Sequence, residues 1–405
     1  MMDMDSLEYG IVNYSTPFYV FDTDELTKRV KQFREITHKR ADLCFAMKAN
    51  PFLVGPMAAM TDRIEVCSMG EFRICQEAQI PVQKLVISGV LKKKEDFWQI
   101  LNTCGGGCLC SIESLSQMEQ AAEWAKKNRR KVSVLLRLTS GNQFGMDKDL
   151  VQNLMQAREL FSHVNIRGIH YFSGTRKKIE KICRELEQLD AFLLEAEEKT
   201  GCKADELEYG PGLFAACFEG EEDRAADELA VICEKISAMR WKGKFTLEMG
   251  RAFTASCGYY LTGVRDIKKN NGVNYCIVDG GIHQLQYDGQ IRGMFRPGIR
   301  ISPEHENEPA RKWTVCGSLC TANDILIQNV TLQGLRQGNV LIFENAGAYS
   351  AMEGMALFLS HELPKIALYS QAEGWKLIRR EKPTYEWNMA KEVGNENFDK
   401  YFNGH

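Results

Sequence analysis

A lysine at the end of an apolar segment is the strongest chemical signal in this chain. Residues 43–47 are apolar throughout and predict a short buried strand, and Lys48 follows directly. Asn50 and Pro51 then indicate a turn. Barrel and sheet enzymes place catalytic groups at this end of a strand, and we expect partial burial there to lower the pKa of the lysine. A neutral amine of this kind can form a Schiff base with pyridoxal phosphate. The ordinary alternative is that Lys48 is a solvated residue at the end of a strand.

Further candidate residues end or follow three later strand-like segments. They are His170, Phe172 and Thr175, then Gly210 and Gly212, and then Glu248, Gly250 and Arg251. The glycine pair would let backbone N–H groups approach a phosphate closely, and Arg251 could add a charge-assisted contact. Glu248 could keep a pyridine nitrogen protonated, so that the ring accepts electrons. Glycine pairs also occur in ordinary turns, so the prediction depends on finding these groups in this order along the chain.

The segments that must position these residues alternate between strand and helix patterns. Strand-like segments occur at 43–47, 63–66, 84–88, 108–112, 132–138, 166–172, 206–209 and 245–248, with helical patterns at 24–36, 114–127, 148–161, 177–199 and 225–239. Eight such alternations predict a parallel (β/α)8 TIM barrel within the α/β class. Beyond about residue 253, short alternating segments at 275–278, 313–316 and 340–343 indicate antiparallel strands. We therefore predict a barrel over residues 24–256, and a mostly antiparallel C-terminal β-barrel domain from residues 1–23 and 257–405.

Composition excludes several classes of function. The chain has 405 residues, 44% of them hydrophobic and 26% charged, as in an ordinary soluble globular protein. Its net charge of −3 provides no field favouring nucleic acid or an anionic membrane, and no apolar segment is long enough to span a bilayer. The fourteen cysteines are scattered and the N-terminus lacks signal-peptide features, which predicts reduced thiols in the cytoplasm. No metal site is predicted, because the cluster around Cys104 and Cys108 lacks a second ligand pair.

Taken together, the motifs resemble the fold-type III pyridoxal-phosphate decarboxylases, the group of diaminopimelate, ornithine and arginine decarboxylases with an alanine-racemase-like barrel. The resemblance covers residues 16–368. The matching motifs are Phe45-Ala-Met-Lys48-Ala-Asn-Pro51, Glu65-Val-Cys-Ser68-Met-Gly70-Glu71, Gly168-Ile-His170, Glu208-Tyr-Gly210-Pro-Gly212, Glu248-Met-Gly250-Arg251, Gly317-Ser-Leu-Cys320 and Gly347-Ala-Tyr349.

The resemblance implies a role for each matching residue. Lys48 carries the cofactor as a Schiff base, and Glu248 pairs with its pyridine nitrogen. The other implied cofactor contacts are Gly210, Gly212, Gly250, Arg251, Tyr349 and Thr175, mostly around the phosphate. Cys320 is the acid that returns a proton after carbon dioxide leaves, and it comes from a partner subunit, so a homodimer with shared active sites is implied. Without the resemblance, Cys320 is a buried inert thiol and Tyr349 a packed core tyrosine.

Three departures from the family pattern concern the cofactor ring and the substrate. Phe172 stands where the family has a histidine that stacks on the ring, and His170, on the same strand face, is expected to compensate. Tyr287 stands where diaminopimelate decarboxylases have an arginine that grips a distal carboxylate. Thr321 replaces the acid that binds a distal ammonium, and Asp324 is the nearest carboxylate that could serve instead.

These departures predict a pyridoxal-phosphate-dependent amino-acid decarboxylase whose substrate is not diaminopimelate or a diamine precursor. The segments 319–321 and 358–364 are similar to a branch acting on amino acids tethered to acyl carrier proteins, or in secondary-metabolite and siderophore pathways. The lysines at 92–94 predict a solvated helix start, with a docking site for an acidic carrier protein as the alternative. Three other functions stay open: a racemase or epimerase, a diaminopimelate decarboxylase with a divergent distal site, and a non-catalytic homologue.

Overall fold

The two ends of the chain build one sheet, and a barrel is inserted between them. A computed structural model describes residues 2–305 and 307–390. The chain starts with helix α1 (Met4–Asn13), capped by the Asp3 side chain, and strand β1 (Phe18–Asp22). Strand β1 pairs with strands near residues 260 and 367, far along the sequence.

Eight parallel strands form the closed barrel. They are β2 (Asp42–Ala46), β3 (Arg63–Val66), β4 (Leu85–Ile87), β5 (Leu109–Ile112), β6 (Val132–Arg137), β7 (Val164–Phe172), β8 (Glu206–Gly210) and β9 (Lys244–Met249). Strand β9 pairs with β2 and closes the ring, which brings Glu248 opposite Cys44. Each predicted strand overlaps one of these eight, so the (β/α)8 prediction is confirmed.

Helices precede, connect and follow the barrel strands. They are α2 (Thr23–Thr37), α3 (Val54–Met60), α4 (Met69–Glu77), α5 (Lys94–Cys104), α6 (Leu115–Asn128), α7 (Lys148–Gln156), α8 (Ile179–Thr200), α9 (Ala225–Ala238) and the short α10 (Arg251–Thr254). Each of α2 to α9 buries an apolar stripe, as the 3.6-residue period requires. The helix predicted over 148–161 is shorter, because α7 ends at Gln156 and a 3-10 turn, Arg158–Phe161, follows it.

The lysine run at the start of α5 is not solvated throughout, as a solvated helix start would require. Lys92 is buried, and its Nζ donates to the carbonyl oxygens of Gly89 and Ser111 and to Oε1 of Gln117. Burial lowers the pKa of Lys92 to about 8. The prediction is therefore wrong for Lys92, whose ammonium joins three segments inside the fold.

The second part of the molecule is a nine-stranded sheet that includes β1. Its other strands are β10 (Gly258–Asn270), β11 (Val273–Val278), β12 (Ile299–Ser302), β13 (Ala310–Cys316), β14 (Ile325–Gln333), β15 (Val340–Phe343), β16 (Lys365–Ser370) and β17 (Gly374–Arg379). Most pairs are antiparallel, whereas β1–β16 and β11–β13 are parallel. The predicted fold class is confirmed, with this part built as a mixed, branched sheet. Residues 391–405 of the predicted second domain lie outside the described residues.

Three general features of the described chain bear on function. No helix within residues 2–305 and 307–390 is long and apolar enough to cross a membrane. All fourteen cysteines are free thiols. In the same described ranges, no cluster of three or more histidine, cysteine, aspartate or glutamate side chains has an arrangement suited to a metal ion.

Candidate active site

Lys48 lies at the carboxyl end of the barrel, in a 3-10 turn (Met47–Ala49) directly after β2. Its Nζ is 2.5 Å from Oε2 of Glu65 and 3.7 Å from Oε1 of Glu248. Burial alone would lower the pKa of Lys48, but these two carboxylates outweigh it and raise the pKa well above the ordinary value. The predicted lowering of the pKa is therefore wrong: this arrangement holds Lys48 as an ammonium ion.

Glu65 was not recognised as a site residue from the sequence. It lies in β3, is 2% exposed, and pairs in register with Ala46 of the neighbouring strand, two residues before Lys48. Cys67 adds a thiol 3.7 Å from the lysine Nζ and 3.1 Å from Glu65 Oε1. The available signal was an acidic residue between two apolar ones, Ile64 and Val66, on the strand after the lysine.

Glu248 is held ionised by two neighbours. Burial would raise the pKa of its carboxyl group, but Lys48 and His170 lower that pKa to about 2. His170 Nε2 lies 3.1 Å from Glu248 Oε2, and its Nδ1 is 2.7 Å from Ser111 Oγ. His170 is thus buried beside Glu248, while Phe172 lies at the cleft.

Most of the predicted cofactor residues line a single cleft beside Lys48. The lining includes Lys48, Phe172, Thr175, Gly212, Glu248, Gly250, Arg251 and Tyr349. The two remaining candidates lie immediately behind it. A Cβ on Gly210 would collide with the ring of Phe172, so the glycine leaves room for that ring.

One end of the cleft presents hydrogen-bond donors suited to an anion. Gly212 has φ +60°, and a Cβ there would collide with the carbonyl oxygen of Gly174. The backbone N–H groups of Gly212 and Leu213 donate to no acceptor in the part of the chain that the structure describes. The Arg251 guanidinium lies 4.6 Å from the centre of the Tyr349 ring, and its Nε is buried without a hydrogen-bond partner within the described ranges. These unused donors could bind a phosphate group.

Pyridoxal phosphate fits this set of residues. Its phosphate requires the N–H and guanidinium donors at one end, and its aldehyde requires an amine, which Lys48 provides. Glu248 lines the cleft with an ionised carboxylate, which could accept a hydrogen bond from a protonated ring nitrogen.

Cys320 belongs to a loop between β13 and β14, outside the Lys48 cleft. Its side chain is exposed and is not part of the cleft lining. Asp324 is buried in the same loop; its Oδ2 accepts a hydrogen bond from Leu319 N at 2.7 Å and its Oδ1 from Ile282 N at 2.9 Å. Burial raises the pKa of Asp324. Both carboxylate oxygens thus bind backbone N–H groups in and beside the Cys320 loop and do not face open space.

The other two substrate candidates carry no charge. Tyr287 is buried, and its hydroxyl donates to the Glu344 carbonyl oxygen at 2.6 Å. Thr321 is partly exposed, and its hydroxyl accepts a hydrogen bond from Asn323 N at 3.4 Å. Neither side chain can form an ion pair with a substrate.

Comparison with known proteins identifies the family. A family model described as "Pyridoxal-dependent decarboxylase, C-terminal sheet domain" matches residues 18–347. The match covers more than half of the chain, which therefore belongs to the pyridoxal-dependent decarboxylases. Pyridoxal phosphate is accordingly its cofactor and decarboxylation its reaction class.

Individual relatives are distant but cover nearly the whole chain. An L-glutamyl-[BtrI acyl-carrier protein] decarboxylase from Niallia circulans is 25% identical over 94% of this chain and 95% of its own. A diaminopimelate decarboxylase from Aquifex aeolicus is 23% identical over 94% of this chain and 93% of its own. The solved structure of a diaminopimelate decarboxylase from M. jannaschii with L-lysine superimposes with a TM-score of 0.82, at 21% identity, covering 95% of this chain and 93% of that one. That last likeness concerns the fold.

Proposed function

We propose that this decarboxylase acts on an amino acid whose far end is uncharged because it is joined to a carrier protein. The observation that carries the proposal is the contrast between a charged reaction centre and neutral substrate-end candidates. Lys48 and two carboxylates meet at the centre, whereas Tyr287 and Thr321 stand at the positions where the family resemblance places charged groups. Binding a free distal charge in a partly buried site without a counter-charge would be costly.

A tethered amino acid removes that cost. Loss of the α-carboxyl group requires that group to be free, so the amino acid would be joined to its carrier through the side-chain carboxyl. The far end is then a neutral acyl linkage, which Thr321 can contact without forming an ion pair. The relative from Niallia circulans, which by its name acts on a glutamyl group on an acyl-carrier protein, supports this choice.

Lys48, Glu65 and Glu248 would set where protons are held at the reaction centre. Pyridoxal phosphate, when bound, supplies a protonated ring that takes up the electron pair left as carbon dioxide departs. Glu248, ionised beside Lys48 and His170, would keep the proton on the ring nitrogen. Glu65, 2.5 Å from the lysine Nζ, would hold Lys48 as an ammonium ion and so control how readily it becomes the neutral amine that binds the cofactor.

Cys320 would return a proton to the carbon that has lost carbon dioxide. Because this thiol is exposed and is not part of the cleft lining of its own chain, we infer that it reaches the cleft of a second copy. The protein would then be a homodimer with two shared sites. Equal mixing of Lys48→Ala and Cys320→Ala variants after dissociation should restore about a quarter of wild-type activity, since half the dimers are mixed and each has one intact site. A mixture as inactive as its components would contradict the sharing.

The substrate proposal is tested by comparing free and tethered amino acids. We expect kcat/KM for L-glutamate joined through its side chain to a carrier protein to exceed those for free L-glutamate, L-ornithine and diaminopimelate by at least about a hundredfold. Thr321→Glu should lower activity on the tethered substrate and raise it on L-ornithine, whereas the size-matched control Thr321→Val should raise neither. Faster turnover of free diaminopimelate by the wild type would contradict the proposal.

Diaminopimelate is the second candidate substrate, since a diaminopimelate decarboxylase matches 94% of the chain. It would require a distal site built from residues other than Tyr287 and Thr321. The substrate comparison above decides between the two, because only this alternative predicts turnover of free diaminopimelate.

A further inference from the structure

We propose that Lys177 is a positioning residue that holds the phosphate-binding segment of the cleft from behind. This inference rests on the assignment of pyridoxal phosphate to the cleft. Lys177 lies in the loop after β7, and only 2% of its side chain is exposed. An ammonium buried this deeply requires several hydrogen-bond acceptors, and their identities indicate its role.

The acceptors come from three separate segments. Nζ of Lys177 is 2.6 Å from Glu185 Oε2 on α8, 3.0 Å from Ser173 Oγ in its own loop, and 3.1 Å from the carbonyl oxygen of Gly210 at the end of β8. The backbone N–H of Lys177 donates to the carbonyl oxygen of Gly212 at 3.1 Å. One residue therefore binds the carbonyl groups of both cradle glycines.

The Lys177 side chain anchors its loop to Gly210 and Glu185, and the backbone N–H of that loop orients one donor at the cleft through its contact with Gly212. Pro211 has no N–H, so the segment offers the N–H groups of Gly212 and Leu213, and both lack acceptors among residues 2–305 and 307–390. The carbonyl and N–H of one peptide point in opposite directions. Holding the Gly212 carbonyl on Lys177 therefore directs the Leu213 N–H away from Lys177, and Leu213 is part of the cleft lining.

The Glu185 carboxylate, the ion-pair partner of Lys177, completes this hydrogen-bond network. Glu185 Oε1 accepts from Ser173 Oγ and its Oε2 from the Tyr209 hydroxyl at 2.7 Å, so the carboxylate is fully bonded. Burial would raise the pKa of Glu185, but the hydrogen bonds from Lys177 and Ser173 outweigh it and lower the pKa. The ion pair fixes both ends of the loop that carries Gly174 and Thr175.

The test compares binding of pyridoxal phosphate with binding of pyridoxal, which lacks the phosphate. In Lys177→Met/Glu185→Gln, which leaves no unpaired buried charge, we expect pyridoxal phosphate to bind about ten- to a hundredfold more weakly. Pyridoxal should bind within about twofold of its wild-type affinity, because it makes no phosphate contacts. The control Lys181→Met removes an exposed lysine 3.9 Å from Glu185 that does not contact the cradle, and should change neither affinity.

Each outcome bears on a distinct claim. Equal weakening of both ligands, or no weakening, would overturn the positioning role of Lys177. Wild-type protein that binds neither ligand would instead contradict the cofactor assignment. If the double variant does not fold, Ser173→Ala removes one acceptor of Lys177, and a loss of affinity confined to pyridoxal phosphate is again expected.

Discussion

The pair formed by Lys48 and Glu65 predicts that removing one negative charge will speed cofactor attachment. At 2.5 Å and an effective dielectric constant near 20, two unit charges attract by several kcal/mol. The Lys48 side chain is 36% exposed, so solvent reduces this attraction, and Glu248 remains 3.7 Å away. We therefore expect Glu65→Gln to remove about 1–3 kcal/mol of this attraction, which lowers the pKa of Lys48.

Stopped-flow absorbance measures this effect directly. Apoprotein is mixed with pyridoxal phosphate over a range of pH, and the rate of attachment to Lys48 is followed. At each pH below both midpoints, the Glu65→Gln variant should attach the cofactor about ten- to a hundredfold faster, because more of the lysine is neutral. Glu77→Gln, an exposed carboxylate at the end of α4, is the matched control and should behave as wild type. Identical profiles for Glu65→Gln and wild type would refute the argument that Glu65 sets the charge of Lys48.

Three further predictions follow from the site and the barrel core. Burial raises the pKa of Glu208 from 4.5 to about 7, so the folded state keeps a proton that the unfolded chain releases. The free energy of unfolding should therefore fall by about 3 kcal/mol as pH rises from roughly 4.5 to 7, and the Glu208→Gln variant should lack this fall. Urea unfolding of both proteins over this pH range measures the effect. A difference in unfolding free energy between them that does not change with pH would contradict the prediction. Cys320→Ala should slow product formation by about 10²–10⁴-fold with unchanged cofactor affinity, and undiminished turnover would remove Cys320 from the reaction. Phe172→Leu should weaken pyridoxal phosphate binding by about tenfold through lost ring contact, measured by fluorescence quenching, and an unchanged affinity would show that the ring makes no such contact.

The barrel could be predicted from sequence because its signal is local. Strand-like segments such as 132–138 and 206–209 are short and separated by helical patterns, and their alternation with helices predicts a parallel barrel. Parallel strands then place their carboxyl ends at one rim, so Lys48, Gly212 and Glu248 could be expected together before any contact was known. Helices α3 and α4 were not predicted, since their 7 and 9 residues show too few turns of a repeating pattern, and of α5 only the start was predicted, from the lysines at 92–94.

Charge states could not be predicted, because they depend on contacts between distant segments. Burial at a strand end lowers the pKa of a lysine when no acid is near, and this reasoning failed for Lys48 because Glu65 and Glu248 are 17 and 200 residues away in sequence. The prediction for Lys92 failed in the opposite sense. A run of lysines suggests a solvated surface, yet Lys92 is buried because its acceptors Ser111 and Gln117 lie on other elements. Lys177 gave no sequence signal at all, since its function depends on carbonyl groups of glycines more than thirty residues later.

Mass spectrometry of the cofactor-loaded protein, mixed with amino acids in free and carrier-tethered form, tests the proposed decarboxylation directly. We expect loss of carbon dioxide from a carrier-tethered L-amino acid, with no loss in the Lys48→Ala variant. Unchanged substrate mass in every sample, despite cofactor attached to Lys48, would contradict it. Chiral inversion in those same samples would assign the site to a racemase instead.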